Sequence, residues 1–306
     1  MLADMVTVGS RVADVGCDHG FLSIWLVQTG VSPKVLAMDV RKGPLAAARE
    51  HIEAYGLGDY IETRLSDGLK NCEGDEVETL VCAGMGGRLM ERILTESMEK
   101  VRGLKELILQ PQSELWAFRT FLRREGFTVL QEEAVCEAGK YYFAMKACFA
   151  GKAVHDAGDD GNRNDAEAES AAFWEKKNAA EREQQLCDRF GEMLIAGKNS
   201  VLLQYLQQRK KTLSQLVLNM RSVGDRDGGD AFESADDWDA GDAFESVGDR
   251  DAGDAFESAD ERGTTDALGT AGASEESKTG SERKRMRMDE ILAELADVNY
   301  ALERMQ

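Results

Sequence analysis

Short runs of Val, Ile and Leu alternate with helical apolar patterns through the first 150 residues, and this alternation restricts the fold more than any other feature. The runs cover residues 11–15, 34–40, 61–65, 79–83 and 106–110, and the helical patterns cover residues 21–28, 44–55, 88–98 and 113–124. Successive βα units need right-handed crossovers, which place helices on both faces of one sheet of buried parallel strands. Runs at 127–135 and 141–149 predict a closing antiparallel hairpin. The sequence therefore predicts an α/β domain over residues 1–150.

The remaining chain has a different organisation. Residues 151–170 are small and polar, which predicts a linker. Apolar residues step by three and four through residues 202–220 and 288–305, which predicts an antiparallel, coiled-coil-like helical hairpin formed by residues 171–221 and 283–306. Ordinary amphipathic helices lying on the first domain are the alternative.

An acidic insert separates these two helical segments. Residues 222–282 contain GDAFES three times and carry 19 acidic and 4 basic side chains, hence −15 of the formal charge of −20. One aromatic residue per repeat is too little apolar surface to offset the entropy of ordering, so we expect disorder. A calcium loop at DRDGGD is the alternative, but it lacks the glutamate at the twelfth position. Because the other segments are nearly neutral, the acidic total does not exclude a polyanionic partner.

Several classes of protein are disfavoured by composition. The chain has no apolar run of about 18 residues and no basic region followed by an apolar core, so we expect a cytoplasmic protein without membrane contact. Six cysteines without a CxxC pair predict reduced thiols, and three dispersed histidines disfavour a metal site. The sequence leaves the oligomeric state open, a monomer included.

The first predicted βα turn carries two carboxylates and two glycines. Asp14, Gly16, Asp18 and Gly20 form a D-x-G-x-x-x-G turn between strand and helix. A dinucleotide turn reads G-x-G-x-x-G so that pyrophosphate can approach the helix amino end. Two carboxylates suit a cationic amino-acid ligand better, and S-adenosylmethionine fits that description.

Acidic residues also follow the next two strands. Asp39 ends the second strand, where a carboxylate can accept both hydroxyls of a ribose; capping of the following helix is the alternative. The third strand leads to Asp67 and Gly68, where a carboxylate could accept from an adenine amino group. Since ligands of such sheets bind outside the carboxyl ends of the strands, the three positions predict a nucleoside-containing ligand.

Five segments carry a family resemblance. In order and spacing, VADVGCDHGFLSIWLV, AMDVRKGPLAAAREHI, IETRLSDGL, CAGMGGRLM and LILQPQ resemble the bacterial tRNA (adenine(22)-N(1))-methyltransferase family, and FGEMLIAGKNSVLLQYL resembles its helical carboxyl-terminal region. The resemblance implies a Rossmann-like class I methyltransferase fold, with a seven-stranded mostly parallel sheet closed by an antiparallel hairpin and followed by the helical hairpin. It further implies S-adenosyl-L-methionine as cofactor and N1 of adenine 22 of tRNA as methyl acceptor. Three departures are Gln112, where the family commonly has Asn, a start close to Val8, ahead of which the family usually has a further helix, and the acidic repeat, which is not part of the family pattern and is assigned no catalytic role.

The turns and the resemblance together assign the site residues. The predicted cofactor contacts are Asp14, Gly16, Cys17, Asp18, Gly20, Asp39, Val40, Asp67, Gly68, Ala83, Gly84 and Met85. The predicted substrate contacts are Gly86, Gly87, Arg88, Gln110, Pro111, Gln112, Arg119 and Arg123, where the glycines would admit a flat base. Asp18 and His19 are the candidates for acid–base catalysis; the alternative is that Asp18 binds only cofactor and His19 caps the helix.

Basic residues on the helical segments predict contact with the tRNA backbone. They are Lys176, Lys177, Arg209, Lys210, Lys211, Arg283, Lys284, Arg285 and Arg287. Two other functions remain open at this point: a methyltransferase acting on a small molecule or protein, and a noncatalytic S-adenosylmethionine-binding module.

Overall fold

The computed structural model describes residues 1–73, 75–151, 171–224 and 280–306. The strands are β1 Val12–Val15, β2 Val35–Asp39, β3 Ile61–Leu65, β4 Thr79–Met85, β5 Glu106–Pro111, β6 Phe127–Glu137 and β7 Lys140–Phe149. The helices are α1 Leu2–Met5, α2 Phe21–Gln28, α3 Lys42–Ala54, α4 Gly87–Glu96, α5 Met98–Gly103, α6 Leu115–Arg124, α7 Ala171–Phe190, α8 Glu192–Ala196, α9 Ser200–Gly224 and α10 Gly280–Arg304.

The seven strands form one sheet in the order β3-β2-β1-β4-β5-β7-β6. The first five pair in parallel, while β7 runs antiparallel to both β5 and β6. The predicted seven-stranded, mostly parallel sheet with a closing hairpin is therefore confirmed. Strands β1, β2 and β3 follow one another toward one edge of the sheet, and β4 then pairs on the other side of β1. The strand order therefore reverses between β1 and β4, and this is the place where α/β sheets bind ligands.

The apolar core lies in two layers, one on each face of the sheet. Alternate residues of each strand point to opposite faces, so Leu36 and Met38 of β2 belong to one layer and Val35 and Ala37 to the other. Buried residues of α4, α5 and α6 complete the first layer. Buried residues of α1, α2 and α3 complete the second. This two-sided burial explains the near-continuous apolar runs in the sequence.

Several elements differ from the sequence prediction. The prediction of a buried strand at 61–65 is wrong in part, because β3 is the edge strand and only its Ile61 is buried. Strand β4 extends to Met85, and a change of register between Ala83 and Met85 marks a bulge at its end. The apolar spacing predicts one helix at residues 88–98, whereas the structure has two, because α4 ends at Glu96 and α5 begins at Met98.

The chain forms two compact units, one made of residues 1–212 and 296–306 and the other of residues 213–295. The predicted helices at 202–220 and 288–305 are confirmed as parts of α9 and α10. Their pairing as a hairpin, and the division into separate domains, stay predictions. The predicted linker at 151–170 and the acidic insert at 222–282 lie outside the described residues, apart from residue 151 and the helix ends at 222–224 and 280–282.

Candidate functional site

The turn after β1 is fixed against its neighbouring strands by backbone hydrogen bonds. The N–H groups of Gly16 and Cys17 both donate to the carbonyl oxygen of Met38 on β2, at 2.8 and 2.9 Å. Gly16 has φ of +78°, and a Cβ there would lie 2.8 Å from the side-chain end of Met85 on β4. The turn therefore lies between the carboxyl ends of β2 and β4, where a ligand of the sheet is expected.

Asp14 is buried under this turn. Its carboxylate is 4% exposed and accepts a 2.6 Å hydrogen bond from the hydroxyl of Ser23 on α2. No ion pair to Asp14 occurs among the residues that the structure describes. Burial, with a smaller contribution from the charge of Asp39, raises the pKa of Asp14 to about 6. The carboxylate thus does not stand open at the strand end as the sequence suggested; it places a poorly compensated negative charge beneath the turn.

Asp39 connects two turns of the site. Its carboxylate accepts from the backbone N–H of Arg41 at 2.8 Å, and the N–H of Asp18 lies 3.4 Å from its other oxygen. The residue is 5% exposed. Arg41 is the residue that precedes α3, and among the described residues the amino end of that helix has no side-chain capping hydrogen bond, so the helix-capping alternative is not observed. Val40, directly after Asp39, is 61% exposed and contributes to the rim of this edge.

The third acidic position is occupied by cations of the protein itself. Asp67 pairs with Lys70 at 2.5 Å and with Arg92 at 3.3 Å, and the hydrogen bond from Lys70 is the main cause of its lowered pKa. Gly68 lies against Ile93 of α4. A contact between Asp67 and an adenine amino group would therefore compete with two existing ion pairs.

Asp18 and His19 have the most accessible polar side chains of the first turn. The carboxylate of Asp18 is 61% exposed and the imidazole of His19 is 51% exposed, with 3.7 Å between Oδ2 and Nε2. Nδ1 of His51 lies 3.0 Å from the carbonyl oxygen of His19, and the His51 ring stacks on Phe21 at 4.8 Å between centroids. These contacts fix the backbone of the turn while leaving both predicted catalytic groups open to solvent.

The turns after β4 and β5 are joined at the bulge. The side-chain oxygen of Gln110 accepts from the N–H of Gly84 at 3.0 Å, and the N–H of Gln112 donates to the carbonyl oxygen of Met85 at 2.9 Å. Gln110 is buried, and its side-chain nitrogen has no partner among the described residues. Pro111 is buried between these two glutamines. The side chain of Gln110 therefore supplies a hydrogen bond at the place where the bulge interrupts the backbone ladder between β4 and β5.

A second set of contacts explains the glycines before α4. The hydroxyl of Ser113 lies 3.4 Å from the N–H of Gly87, and a carboxylate oxygen of Glu114 accepts from the N–H of Arg88 at 3.0 Å. A Cβ on Gly87 would lie 2.7 Å from the carbonyl oxygen of Ser113. Gly87 is thus required by the turn that precedes α6, and the sequence explanation, space for a flat base, is wrong for this residue. A Cβ on Gly86 would lie 3.1 Å from the Ser113 hydroxyl.

Two of the predicted substrate contacts, Arg119 and Arg123, have partners within the protein. Arg119 is 6% exposed; its Nε pairs with Glu132 at 2.8 Å, and it also donates to the carbonyl oxygens of Asp188 and Arg189 at the end of α7. Arg123 pairs with the carboxylate of Asp188 at 3.0 Å. Arg119 connects α6 to β6 and α7 and is buried, so its predicted contact with substrate is wrong. Arg123 connects α6 to α7 and keeps a 30% exposed side chain, so its contact with substrate stays a prediction. Arg88, in contrast, keeps an 88% exposed side chain, paired at 2.5 Å with Glu114.

The sequence does not indicate Ser113 and Glu114 as residues of the site, because their positions fit the start of a helix. No local signal could have shown that their side chains bond to the start of α4, which lies far away in sequence. Cys17 is an inert member of the predicted set, because burial first, and the charge of Asp14 next, raise the pKa of its thiol to about 12.

Metal ligands, membrane-spanning helices and the predicted basic contacts with tRNA can be sought among the described residues. These residues contain no cluster of His, Cys, Asp and Glu that could hold a metal ion, and none of their helices is long and apolar enough to cross a bilayer. Lys210 and Lys211 on α9, and Arg283, Arg285 and Arg287 on α10, have exposed side chains. The side chains of Lys176, Lys177 and Lys284 lie outside the described part of the chain.

Comparison with known proteins gives matches of two kinds. The profile of the family described as "Methyltransferase domain" matches residues 1–145. The tRNA (adenine(22)-N(1))-methyltransferase of Bacillus subtilis (strain 168) is 32% identical over 146 residues, which are 48% of this chain and 61% of that protein. Two curated Mycoplasma relatives match over 60% and 55% of their lengths. The chain thus matches about six tenths of the length of these curated relatives.

Solved structures extend the likeness beyond the sheet. A Streptococcus pneumoniae protein, provisionally named a tRNA (m1A22) methyltransferase and solved with S-adenosyl-L-methionine, is 30% identical; the match covers 73% of this chain and 92% of that one, with a TM-score of 0.57. A Listeria monocytogenes protein has the same fold at 19% identity, covering 98% and 96% of the two chains with a TM-score of 0.67. Three observations agree with one another. They are the acidic turns at the carboxyl edge, the GMGG and QPQ segments joined at the β4 bulge, and the match over nearly all of the S. pneumoniae chain. This chain is a member of the tRNA (adenine(22)-N(1))-methyltransferase family.

Proposed function

We propose that this protein transfers a methyl group from S-adenosyl-L-methionine to N1 of adenine 22 in tRNA. The observation that carries the proposal is the 30% identity to the S. pneumoniae protein solved with that cofactor, over 92% of its chain. A tRNA substrate places the activity in the cytoplasm.

The charges at the carboxyl edge favour a cationic cofactor. When bound, S-adenosylmethionine supplies a methyl group on a positively charged sulfur, together with an ammonium group. Asp14 is a buried carboxylate whose raised pKa records the cost of its charge, and a nearby cation would lower that cost. Asp39, held by the N–H of Arg41, is positioned at the end of β2 to accept ribose hydroxyls. The residues present therefore fit this cofactor.

Catalysis by these residues rests first on positioning. Placing N1 of the adenine in line with the methyl group supplies much of the rate enhancement. Bond formation at N1 leaves a positive charge on the base, which is neutralised when the exocyclic amine loses a proton. Asp18 and His19 are the accessible groups that would accept that proton, since Asp14 is buried and Asp67 is held by two cations.

The RNA has to deliver an unstacked adenine to this edge. The bulge at Gly84 and the turn at Gly86 lie next to the first turn and form the proposed seat of the base. Arg88, the second residue of α4, has an exposed guanidinium beside that seat, and Lys210 and Lys211 on α9 are further contacts for phosphates. Extruding a base costs a few kcal/mol, which such backbone contacts offset.

A methyl-acceptor assay tests the proposal. The purified protein is incubated with methyl-labelled S-adenosylmethionine and an unmodified tRNA transcript, and the labelled nucleoside is identified. The matched control is the same transcript with guanine at position 22. We expect 1-methyladenosine from the first transcript and no label in the second. Cofactor binding without transfer to either RNA would refute the proposal and favour a small-molecule or protein substrate, or a noncatalytic role.

A further inference from the structure

An exposed tryptophan lies beside the proposed substrate turn. Trp116 is in the first turn of α6, directly after the Ser113 and Glu114 segment, and it is 54% exposed. The core-facing residues of the same helix, Phe118 and Phe121, are buried. Trp116 therefore presents its ring to solvent at the carboxyl edge of the sheet, although its apolar area would favour burial.

The indole ring is supported by a fixed cation. The guanidinium carbon of Arg189, at the end of α7, lies over the Trp116 ring at 6.0 Å from its centroid. Arg189 is itself held by an ion pair with Asp297 on α10, and its carbonyl oxygen accepts from Arg119. Two elements thus hold the arginine in place, so the ring has a preorganised environment rather than a freely moving neighbour.

Two guanidinium groups lie near this ring, and each is paired with a carboxylate. Arg88, with its 88% exposed side chain, pairs with Glu114, two positions before Trp116. The backbone N–H of Arg88 bonds to the same glutamate, which ties the start of α4 to the start of α6. The Trp116 surface, meaning Trp116 with Arg189 and Arg88, is therefore continuous with the turn that would hold the target adenine.

We propose that Trp116 stacks on an unpaired nucleobase of the RNA substrate, adjacent to the adenine that is methylated, while Arg189 and Arg88 attract the neighbouring phosphates. This inference rests on the proposed function. Aromatic rings stack on any nucleobase because every base has a π-face, and a cation next to the ring adds attraction for the backbone. RNA is favoured over a protein partner because the ring follows directly after the turn that is tied to the start of α4, beside the proposed seat of the adenine.

The test compares Trp116→Leu with Trp116→Phe, which restores an aromatic face. The matched control is Tyr60→Leu, which removes a ring that is 51% exposed and precedes β3, at the opposite edge of the sheet. KM for the unmodified tRNA transcript and its dissociation constant without cofactor are both measured. We expect Trp116→Leu to raise both by about 5- to 150-fold, equivalent to about 1–3 kcal/mol for one stacked base. The turnover number, thermal midpoint and cofactor affinity should stay close to wild type.

The outcomes separate this inference from the proposed function. Recovery of RNA affinity in Trp116→Phe, with Tyr60→Leu unchanged, would support it. Wild-type RNA affinity in Trp116→Leu, or an equal loss in Tyr60→Leu, would overturn it. A change of sedimentation behaviour in Trp116→Leu would assign the ring to contact between two copies of the chain and would also overturn it. If the wild-type protein methylates no tRNA, the proposed function fails, and the binding measurement still decides whether Trp116 contacts RNA.

Discussion

Replacing Asp14 by Asn should stabilise the protein while weakening its cofactor binding. The carboxylate is buried, has Ser23 as its hydrogen-bond donor and has a pKa raised to about 6. Asn has nearly the same shape and can accept the same hydrogen bond from Ser23. The substitution therefore removes the buried charge and leaves the packing almost unchanged.

The size of the effect follows from the linkage between protonation and folding. A pKa raised from 3.8 to about 6 means that the folded protein binds the proton more tightly than the unfolded chain does. This group therefore lowers the free energy of unfolding as pH rises from about 4 to 6, by about 3 kcal/mol at 1.36 kcal/mol per pKa unit. Asp14→Asn should match wild type near pH 4 and exceed its stability by up to about 3 kcal/mol above pH 6.

Urea unfolding of the cofactor-free protein at several pH values between 4 and 8 measures this difference. Asp59→Asn, at an exposed position, is the matched control for the same chemical change without burial. Calorimetric titration should show S-adenosylmethionine binding to Asp14→Asn weakened by about 10- to 150-fold at pH 7.5, since a charged contact contributes about 1.5–3 kcal/mol. A variant that is destabilised above pH 6, or that binds cofactor as tightly as wild type, would refute the reasoning.

Three further substitutions test the structural assignments. Arg119→Met should cost about 3–5 kcal/mol in urea unfolding because it leaves Glu132 buried without its partner, and a double replacement with Glu132→Met should recover part of that loss; additive losses would contradict the pairing. Asp39→Ala should weaken cofactor binding by about 2–3 kcal/mol in calorimetry, and wild-type affinity would end its assignment to the ribose. Gly87→Ala should lower the thermal midpoint because its Cβ meets backbone at 2.7 Å, whereas Gly43→Ala, in a helix and with open space around it, should not; equal midpoints would contradict the close approach.

Much of the fold was predictable because its determinants are local. The apolar runs at β1, β2, β4 and β5 are buried on both faces, and the helical segments between them had to cover those faces. Strand β3 was misjudged because its sequence, IETRL, was grouped with the apolar runs although residues 62–64 are polar, a composition that fits an edge strand better than a buried one. An edge strand has a neighbouring strand on one side only. This depends on the order of the strands in the sheet, which a local sequence pattern does not specify.

The candidate site was predictable in position more than in detail. The acidic residues after successive strands had to meet at one edge, since the carboxyl ends of parallel strands lie together. Their states were not predictable: Asp14 is buried, Asp39 bonds to backbone, and Asp67 is paired with Lys70. Burial and ion pairing depend on residues brought close only by folding, and they decide which carboxylate carries an accessible charge.

The sequence alone determined the α/β architecture, the acidic carboxyl edge and the family, because periodicity, turn chemistry and motif spacing are properties of neighbouring residues. Only the tertiary structure decided which of the basic residues after β5 were structural. Arg119 resembles any arginine on an amphipathic helix until Glu132 and the end of α7 close around it. Gly87 resembles a glycine that leaves room for a ligand until the turn before α6 fills that room. In both cases the deciding contact joins segments distant in sequence, and its energy exists only once the chain has folded.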